Sequence, residues 1–598
     1  MTADVRPETW GVALGYHDYA GDWRAAPPET VDAILAGMGA GPGDPPPPQA
    51  VTVRLDHPLP DLGSGRVVTE DGAEVAVAGP LPADLPPGYH RFEPRDRPPH
   101  PLVVSPGRAA PPATRRWGFS SQVYATRSRR SWGMGDLADL RRLNEWARSS
   151  GAGFTLINPL HAATPGRPRQ PSPYYPGSRC FLDPIYIAVD EVPGAGQLSG
   201  LEALGAAGRA LNDQRVIDRD RVWDLKSEAL ERLFALTRRD QRLATFRSAR
   251  GDALDRFSTY CALAERYGAD RTRWPADAAC DPERRDFHSW LQWVTDEQVR
   301  AADQTLGLVV DLAVGVDPSG PDTWIWPEAF ARGMRVGAPP DEFNTRGQDW
   351  GLPPFDPWRL RGGGYAPWIE ALRAALTHGS GVRVDHVMGL FRLFWIPPGA
   401  HPREGTYVAY PHHDMLNILT LEAHRAGAYV IGEDLGTVQD EVRRDLAERQ
   451  ILSYRVWWFE DAPTEQWPGA AMGAVTTHDL PTVAGVLSGS DLQAQRDLGT
   501  DPNEESSARL LDHLRERAPG SDPAEVIVEV HRDLARAPCS LLVATLDDAL
   551  AVEERPNMPG TTDSWPNWSL ALPVPLEDLE RSELARRVAE VLGRPAGS

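Results

Sequence analysis

Eight short apolar or β-branched runs recur along residues 117–548, each closing on polar or charged residues and most followed by a helical segment. They are WGFSSQVYA (117–125), FTLINPLHA (154–162), LGLVVDLAV (306–314), GVRVDHVMG (381–389), AYVIGEDLG (428–436), ILSYRVWWFE (451–460), GAVTTHDLP (473–481) and CSLLVATLDD (539–548). Eight strands alternating with helices predict an α/β fold of the (β/α)8 TIM-barrel class, in which residues at the strand C-termini gather on one rim. An open doubly wound sheet is the alternative, but no strand is followed by a Gly-rich phosphate loop. A chain of 598 residues accommodates such a barrel only with insertions or extra domains.

The expected organisation follows from changes in pattern. Residues 1–40 read as a helical segment, because Val31, Ile34, Leu35 and Met38 recur at helical spacing. Residues 41–115 read as a small antiparallel, sandwich-like β domain bounded by the proline-rich joints GPGDPPPPQA and SPGRAAPPATRR. Residues 116–598 then form the barrel, with a helical insertion at about 165–300 and a long loop at about 315–375.

Charge narrows the partners. With 84 Asp+Glu against 62 Lys+Arg the net charge is −22, which disfavours nucleic acid and anionic membranes as partners. Cys180, Cys261, Cys280 and Cys539 show no metal-ligand spacing, and no long apolar run or basic leader is present, so a cytoplasmic protein with free thiols is expected. The sequence gives no indication of oligomeric state.

Chemistry concentrates at three strand ends. Asp385 closes V-R-V-D-H, Glu433 and Asp434 close V-I-G-E-D, and His478-Asp479 close T-T-H-D. Carboxylates converging from separate strands suit glycoside chemistry, where one must be ionised beside an oxocarbenium-like centre and another must hold a proton for the leaving oxygen. Arg383, two residues before Asp385, shares its strand face and favours the ionised form, so Asp385 is the expected nucleophile and Glu433 the acid/base. Asp434 equally suits capping of a helix starting near Thr437. His386 and His478 fit either core positions or binding of sugar hydroxyls.

These residues lie in stretches that resemble the 4-α-glucanotransferases of the amylomaltase (disproportionating enzyme) family, relatives of the α-amylases. The matching stretches are RSRRSWGMGDLADL (128–141), INPLHA (157–162), SPYYPGSRCFLDPIYI (172–187), VGAPPDEFNTRGQDWGLPP (336–354), RVDHVMGLFRLFWIP (383–397), VIGEDLGTV (430–438), ILSYRVWWFE (451–460), TTHDLPT (476–482) and NMPGTTDSWPNW (557–568). The resemblance implies Asp385 as nucleophile, Glu433 as general acid/base and Asp479 as transition-state stabiliser. It implies that Arg383, His386 and His478 contact the donor-side sugar, that Tyr174 stacks beneath it, and that Asp341 and Trp350 belong to an acceptor-side loop. The implied reaction is retaining transfer of a segment of maltooligosaccharide or other α-1,4-glucan to the 4-hydroxyl of an acceptor, with no cofactor and no metal. An α-amylase-type hydrolase would use the same carboxylates, and a non-catalytic glucan-binding protein is the alternative from another class. Two departures stand out: Cys180 where the family more often has arginine, and Ser564-Trp565 where a charged pair is commoner. Of the 20 tryptophans, Trp350 sits in a Gly/Pro-flanked loop, whereas Trp457-Trp458 fits core packing as well as sugar stacking.

Overall fold

The computed structural model describes residues 6–41, 50–341, 346–436, 438–499, 503–561 and 564–594. The prolines at 45–48 and residues 342–345 of the expected acceptor-side loop lie outside the described residues. All eight expected runs contain strands: β1 (Arg116–Ser121), β2 (Phe154–Ile157), β3 (Leu308–Leu312), β4 (Gly381–Val384), β5 (Tyr429–Gly432), β6 (Ser453–Val456), β7 (Ala471–Ala474) and β8 (Leu541–Thr545). They belong to one eight-stranded sheet, the (β/α)8-barrel class. β2, β3, β4, β5 and β7 are buried at every position, as parallel strands covered on both faces must be.

Contacts divide the chain into two compact units, Met1–Pro111 with Trp326–Ser453, and Pro112–Ile325 with Tyr454–Ser598. In the second unit β3, β2, β1, β8 and β7 pair in parallel in that order, with registers such as Leu308↔Thr155, Gly118↔Phe154, Leu541↔Arg116 and Met472↔Leu541. The helix after β1, Leu137–Ser149, starts at a capping box in which the Asp136 and Asp139 side chains each accept from the other residue's backbone N–H. It buries Leu140, Leu143, Asn144 and Ala147, the three-to-four spacing of one apolar face.

Between β2 and β3 the chain inserts the helices Arg219–Thr237, Gln241–Tyr267 and Pro282–Thr305, each N-capped by an aspartate: Asp218, Asp240 and Asp281. Their apolar faces close over Leu230, Leu233, Phe287, Trp290 and Trp293. Lys226, the single lysine of the chain, is fully buried there and donates to the carbonyls of Ile185 and Ile187 at 2.7 and 2.9 Å. Burial pushes its pKa down, opposed by the charges of Asp136 and Asp139.

The first unit carries β4 and β5, paired in parallel from Gly381↔Tyr429 to Val384↔Gly432. The strand pattern expected in 41–115 appears as a five-stranded sheet ordered 51–54, 100–105, 88–94, 61–68, 74–80. Its first pair, Val51–Arg54 with His100–Ser105, runs parallel where purely antiparallel pairing was expected. The parallel sense arises because the first strand docks beside the last rather than beside its successor. Thr52 Oγ1 donates to Asp414 Oδ1 at 2.6 Å and Ser105 Oγ meets Thr420 Oγ1 at 2.8 Å, tying the sheet to the helix His412–Ala426 that precedes β5. Within 1–40 the helix Pro28–Met38 buries Val31, Ile34, Leu35 and Met38, and a two-stranded hairpin, Gly15–His17 with Trp23–Ala25, precedes it. A further four-stranded antiparallel sheet follows the order 348–352, 335–338, 392–396, 406–409.

Candidate active site

In the first unit the ends of β4 and β5 hold a compact polar group. Arg383 is buried on β4, and its Nη1 donates to Asp385 Oδ1 at 2.8 Å just past the strand. Beside it the Glu433 backbone N–H donates to the Val384 carbonyl and the Val387 N–H to the Glu433 carbonyl, each at 3.0 Å, which laces the two strand ends together. The Glu433 carboxylate accepts from the backbone N–H of His386 at 2.9 Å (Oε2) and of Leu435 at 2.7 Å (Oε1).

Burial pushes the Glu433 carboxyl up to about 7; the Arg383 guanidinium opposes that rise and the Asp385 charge adds to it. A carboxylic acid that titrates near neutrality is poised to give and take a proton. His386 adopts a left-handed backbone (φ 47°, ψ 59°), which a non-glycine residue holds only under constraint, and this conformation aims its N–H at Glu433. Its imidazole is held below its ordinary pKa by burial, with Asp385 acting against that and Arg392 with it.

Trp350 lies on the strand Gln348–Leu352, its indole edge-on to the His386 ring at 5.3 Å and its Nε1 donating to Gln348 Oε1 at 3.1 Å. Asp341 is half-buried and directly precedes the undescribed residues 342–345. Asp434 is buried and accepts from Ser453 Oγ at 2.6 Å. The next helix, Asp440–Glu448, begins after Gln439 without a side-chain cap, so Asp434 does not serve as its cap.

The second unit holds another group. Tyr174 Oη donates to Asp311 Oδ2 at 2.7 Å and lies 3.2 Å from His478 Nδ1. Its ring centroid stands 4.7 Å from that of His478 and 5.0 Å from that of Trp568. His478 Nε2 is 3.3 Å from Asp479 Oδ2, and Asn557 Nδ2 donates to Asp479 Oδ1 at 2.7 Å. Arg555 Nη1 donates to the Asp479 carbonyl at 3.0 Å, while its Nε and Nη2 grip Asp491 at 2.7 and 2.6 Å.

Arg383, Asp385, His386, Glu433 and Trp350 thus form one contact network, and Tyr174, His478 and Asp479 another. Sequence reasoning missed Asp311, Arg555, Asn557 and Trp568. Asp311 carried a usable signal, an aspartate inside an otherwise apolar strand; Arg555 sits beside a turn whose tertiary partner no local pattern reveals. Trp457 and Trp458 lie just past β6 in a short 3-10 turn and are buried, with Trp457 Nε1 donating to Asp533 Oδ2 at 2.9 Å, so they pack in the core. Cys180 is also buried; its neighbour Arg179 donates Nη1 to the carbonyls of Ala313 and Val314 at 3.0 and 2.9 Å. Elsewhere His412, His413 and Asp445 hold donor atoms within 4.8 Å of one another, but Arg449 brings its guanidinium within 3.4 Å of His413 Nδ1 and 3.7 Å of Asp445 Oδ1 and so supplies positive charge there.

A family model described as 4-alpha-glucanotransferase matches residues 121–576, a span that includes every site residue named above. The chain belongs to the 4-alpha-glucanotransferase family. The 4-alpha-glucanotransferase of Mycobacterium tuberculosis is 42% identical over 585 residues, covering 86% of this chain and 80% of the relative. That of Haemophilus influenzae is 31% identical, covering 79% and 78%. Among solved structures, the amylomaltase from Corynebacterium glutamicum superposes with a TM-score of 0.89 at 33% identity, over 98% of this chain and 99% of that one. The similarity therefore includes the N-terminal region as well as the barrel. The family makes the chain a glycosyl-transferring enzyme that acts on glucans, and among its described residues no helix is long and apolar enough to cross a membrane.

Proposed function

We propose that the enzyme moves α-1,4-glucan segments by a retaining double displacement in which Asp385 is the nucleophile, Glu433 the acid/base and Asp479 the transition-state stabiliser. The carrying observation is Glu433 itself: half-buried, gripped by two backbone N–H groups, pushed up to about 7, and beside the charges of the Arg383–Asp385 pair. In the first step an Asp385 oxygen forms a bond to the anomeric carbon. The glycosidic bond breaks with its electron pair going to the leaving oxygen, which takes the Glu433 proton. In the second step ionised Glu433 accepts the proton of the acceptor's 4-hydroxyl as that oxygen attacks the anomeric carbon and Asp385 departs.

Arg383 keeps the nucleophile oriented and charge-balanced through its hydrogen bond. Asp479, fixed by Asn557, takes the stabilising role by the family resemblance, and its negative charge suits an oxocarbenium-like centre. Arg383, His386 and His478 are proposed to hold the donor-side sugar over Tyr174, whose hydroxyl is anchored to Asp311. Asp341 and Trp350 are proposed to bind the acceptor. Transfer outcompetes water when the acceptor is held in place, since effective molarities of well-oriented groups reach on the order of 10⁵ M or more. The four cysteines are unbridged, which supports a cytoplasmic setting.

Incubation with maltotriose tests the activity. Glucose together with a ladder of longer glucans is expected; maltose and glucose with no longer product would mean hydrolysis instead. The anomeric configuration of the first products, read by NMR, tests retention.

A further inference from the structure

Leu14, Tyr19 and Trp23 account for half of the exposed large apolar side chains among the described residues; Tyr19 and Trp23 lie in one N-terminal hairpin and Leu14 immediately precedes it. The hairpin pairs Gly15↔Ala25, Tyr16↔Arg24 and His17↔Trp23. Strand alternation puts Gly15, His17 and Trp23 on one face and Tyr16 on the other. Tyr16 is the anchor: it is buried edge-on against Phe394 at 5.4 Å and Tyr407 at 5.9 Å.

On the outer face the indole of Trp23 lies over Gly15. A Cβ at Gly15 would stand 2.6 Å from Trp23 Cζ2 and 2.9 Å from Cε2, so glycine is what lets the ring lie down against the backbone. His17 stands edge-on to that ring at 5.1 Å. With one side covered, Trp23 is still 56% exposed, and Tyr19, in the turn, is 60% exposed. The turn is held by its own polar groups: Asp18 Oδ1 accepts from the backbone N–H of Ala20 and Asp22 at 3.0 and 2.9 Å, and Asp18 Oδ2 from Arg24 Nε at 2.8 Å.

A preordered indole with an open side, bordered by the His17 imidazole, is suited to an amphipathic ring that offers C–H bonds to the indole and hydroxyls to the rim. We propose that this hairpin is a non-catalytic docking site for α-1,4-glucan chains, with Trp23 as the stacking platform, Tyr19 as a second aromatic contact, and His17 as the hydroxyl partner on the same face. The inference rests on the α-1,4-glucan substrate of the family. The substrate is a polymer, so a chain held here at one end is presented at raised local concentration to the catalytic machinery. A second protein copy is the poorer occupant: an aromatic side chain buries about 150–250 Å² when fully covered, so three half-exposed side chains fall short of the ~800 Å² per partner of a stable interface.

The test is native electrophoresis through gels with and without amylose, run in a catalytically silent Asp385→Asn background, on chains with Trp23 intact, Trp23→Phe and Trp23→Ala. Migration of the Trp23-intact chain should be retarded by amylose, with the retardation cut about three- to tenfold by Trp23→Ala and partly restored by Trp23→Phe. In the active enzyme Trp23→Ala should raise KM for amylose by a similar factor and leave maltotriose turnover unchanged, which also shows that the variant folds. Equal retardation of all three proteins, or an unchanged KM for amylose, overturns the proposal. So does a concentration-dependent dimer that Trp23→Ala abolishes. Loss of the maltotriose ladder in the wild type would instead overturn the proposed reaction, so the two failures are distinguishable.

Discussion

Arg383 Nη1 and Asp385 Oδ1 are 2.8 Å apart at the end of β4, and the guanidinium is buried. The planar fork of arginine fixes a carboxylate in a way the rotatable ammonium of lysine does not. Arg383→Lys should therefore lower kcat on maltotriose by about 10²-fold or more while the protein still folds, and Asp385→Asn should lower it by at least about 10⁴-fold. Steady-state kinetics with circular dichroism as the folding control measures both. Equal kcat for Arg383→Lys and wild type would remove Arg383 from the machinery.

As the proposed acid/base, Glu433 should set the pH response. In the first step it must carry a proton, and its pKa of about 7 means that kcat/KM falls as pH rises through about 7. In Glu433→Gln the residual activity should lack that alkaline limb. The same rise has a stability consequence. The folded carboxyl holds its proton more tightly than the unfolded chain, whose value is 4.5, so stability from this group is present below 4.5, declines as pH rises to about 7, and is gone above that. A pH–rate profile from about pH 3.5 to 9 checks the kinetic limb; an inflection near 4.5 instead would show an unperturbed carboxyl.

How much was legible in the sequence depends on the range of the interaction. The eight barrel strands were readable because strands buried wholly or largely on both faces read as apolar runs, and the proposed pair Asp385 and Glu433 because polar residues end two of those runs. The Arg383–Asp385 pair followed from two-residue spacing alone. The grip of His386 N–H on Glu433 did not, since it depends on a left-handed residue on one strand's loop meeting the loop of another. Asn557 on Asp479 and Arg555 on Asp491 join positions far apart in the chain, so no local pattern could pair them. The parallel start of the N-terminal sheet was missed for the same reason: alternation reveals strands but not which neighbour each one takes.

Asn557 should act as a positioning residue for Asp479. Its Nδ2 donates to Asp479 Oδ1 at 2.7 Å, so Asn557→Ala leaves that carboxylate less constrained. The expected result is a kcat about 10- to 100-fold lower with KM changed less than about threefold, because the stabilising role proposed for the carboxylate is felt in the transition state. Asn557→Asp, which sets a second carboxylate against the first, should be worse and should shift the pH–rate profile. A purely structural role would lower Tm without moving that profile.

The Arg555–Asp491 pair carries stability. Both side chains are 8% exposed and share two hydrogen bonds, so Asp491→Ala strands a buried guanidinium. That should cost about 3–5 kcal/mol, and the double variant Asp491→Ala/Arg555→Met should recover much of it, since replacing both partners leaves no unpaired charge. Denaturant unfolding measures both, and equal stability of Asp491→Ala and wild type would show that the pair contributes little.

Trp350 is the residue on which the balance of transfer against hydrolysis is expected to turn. Its indole meets His386 edge-on, which links the proposed acceptor strand to the loop that donates an N–H to Glu433. Removing the ring deprives an incoming glucan of a stacking surface but leaves the Arg383–Asp385 pair and the Glu433 bonds in place, so formation of the covalent intermediate should be nearly unaffected. The intermediate would then wait longer for an acceptor, and water would capture more of it. Trp350→Ala should accordingly raise acceptor KM about 10-fold and increase the share of reducing ends released by hydrolysis by a similar factor, with donor cleavage changed less than about threefold. Product analysis with glucose as acceptor gives both quantities at once. A variant whose donor cleavage falls in step with transfer would place Trp350 on the donor side instead.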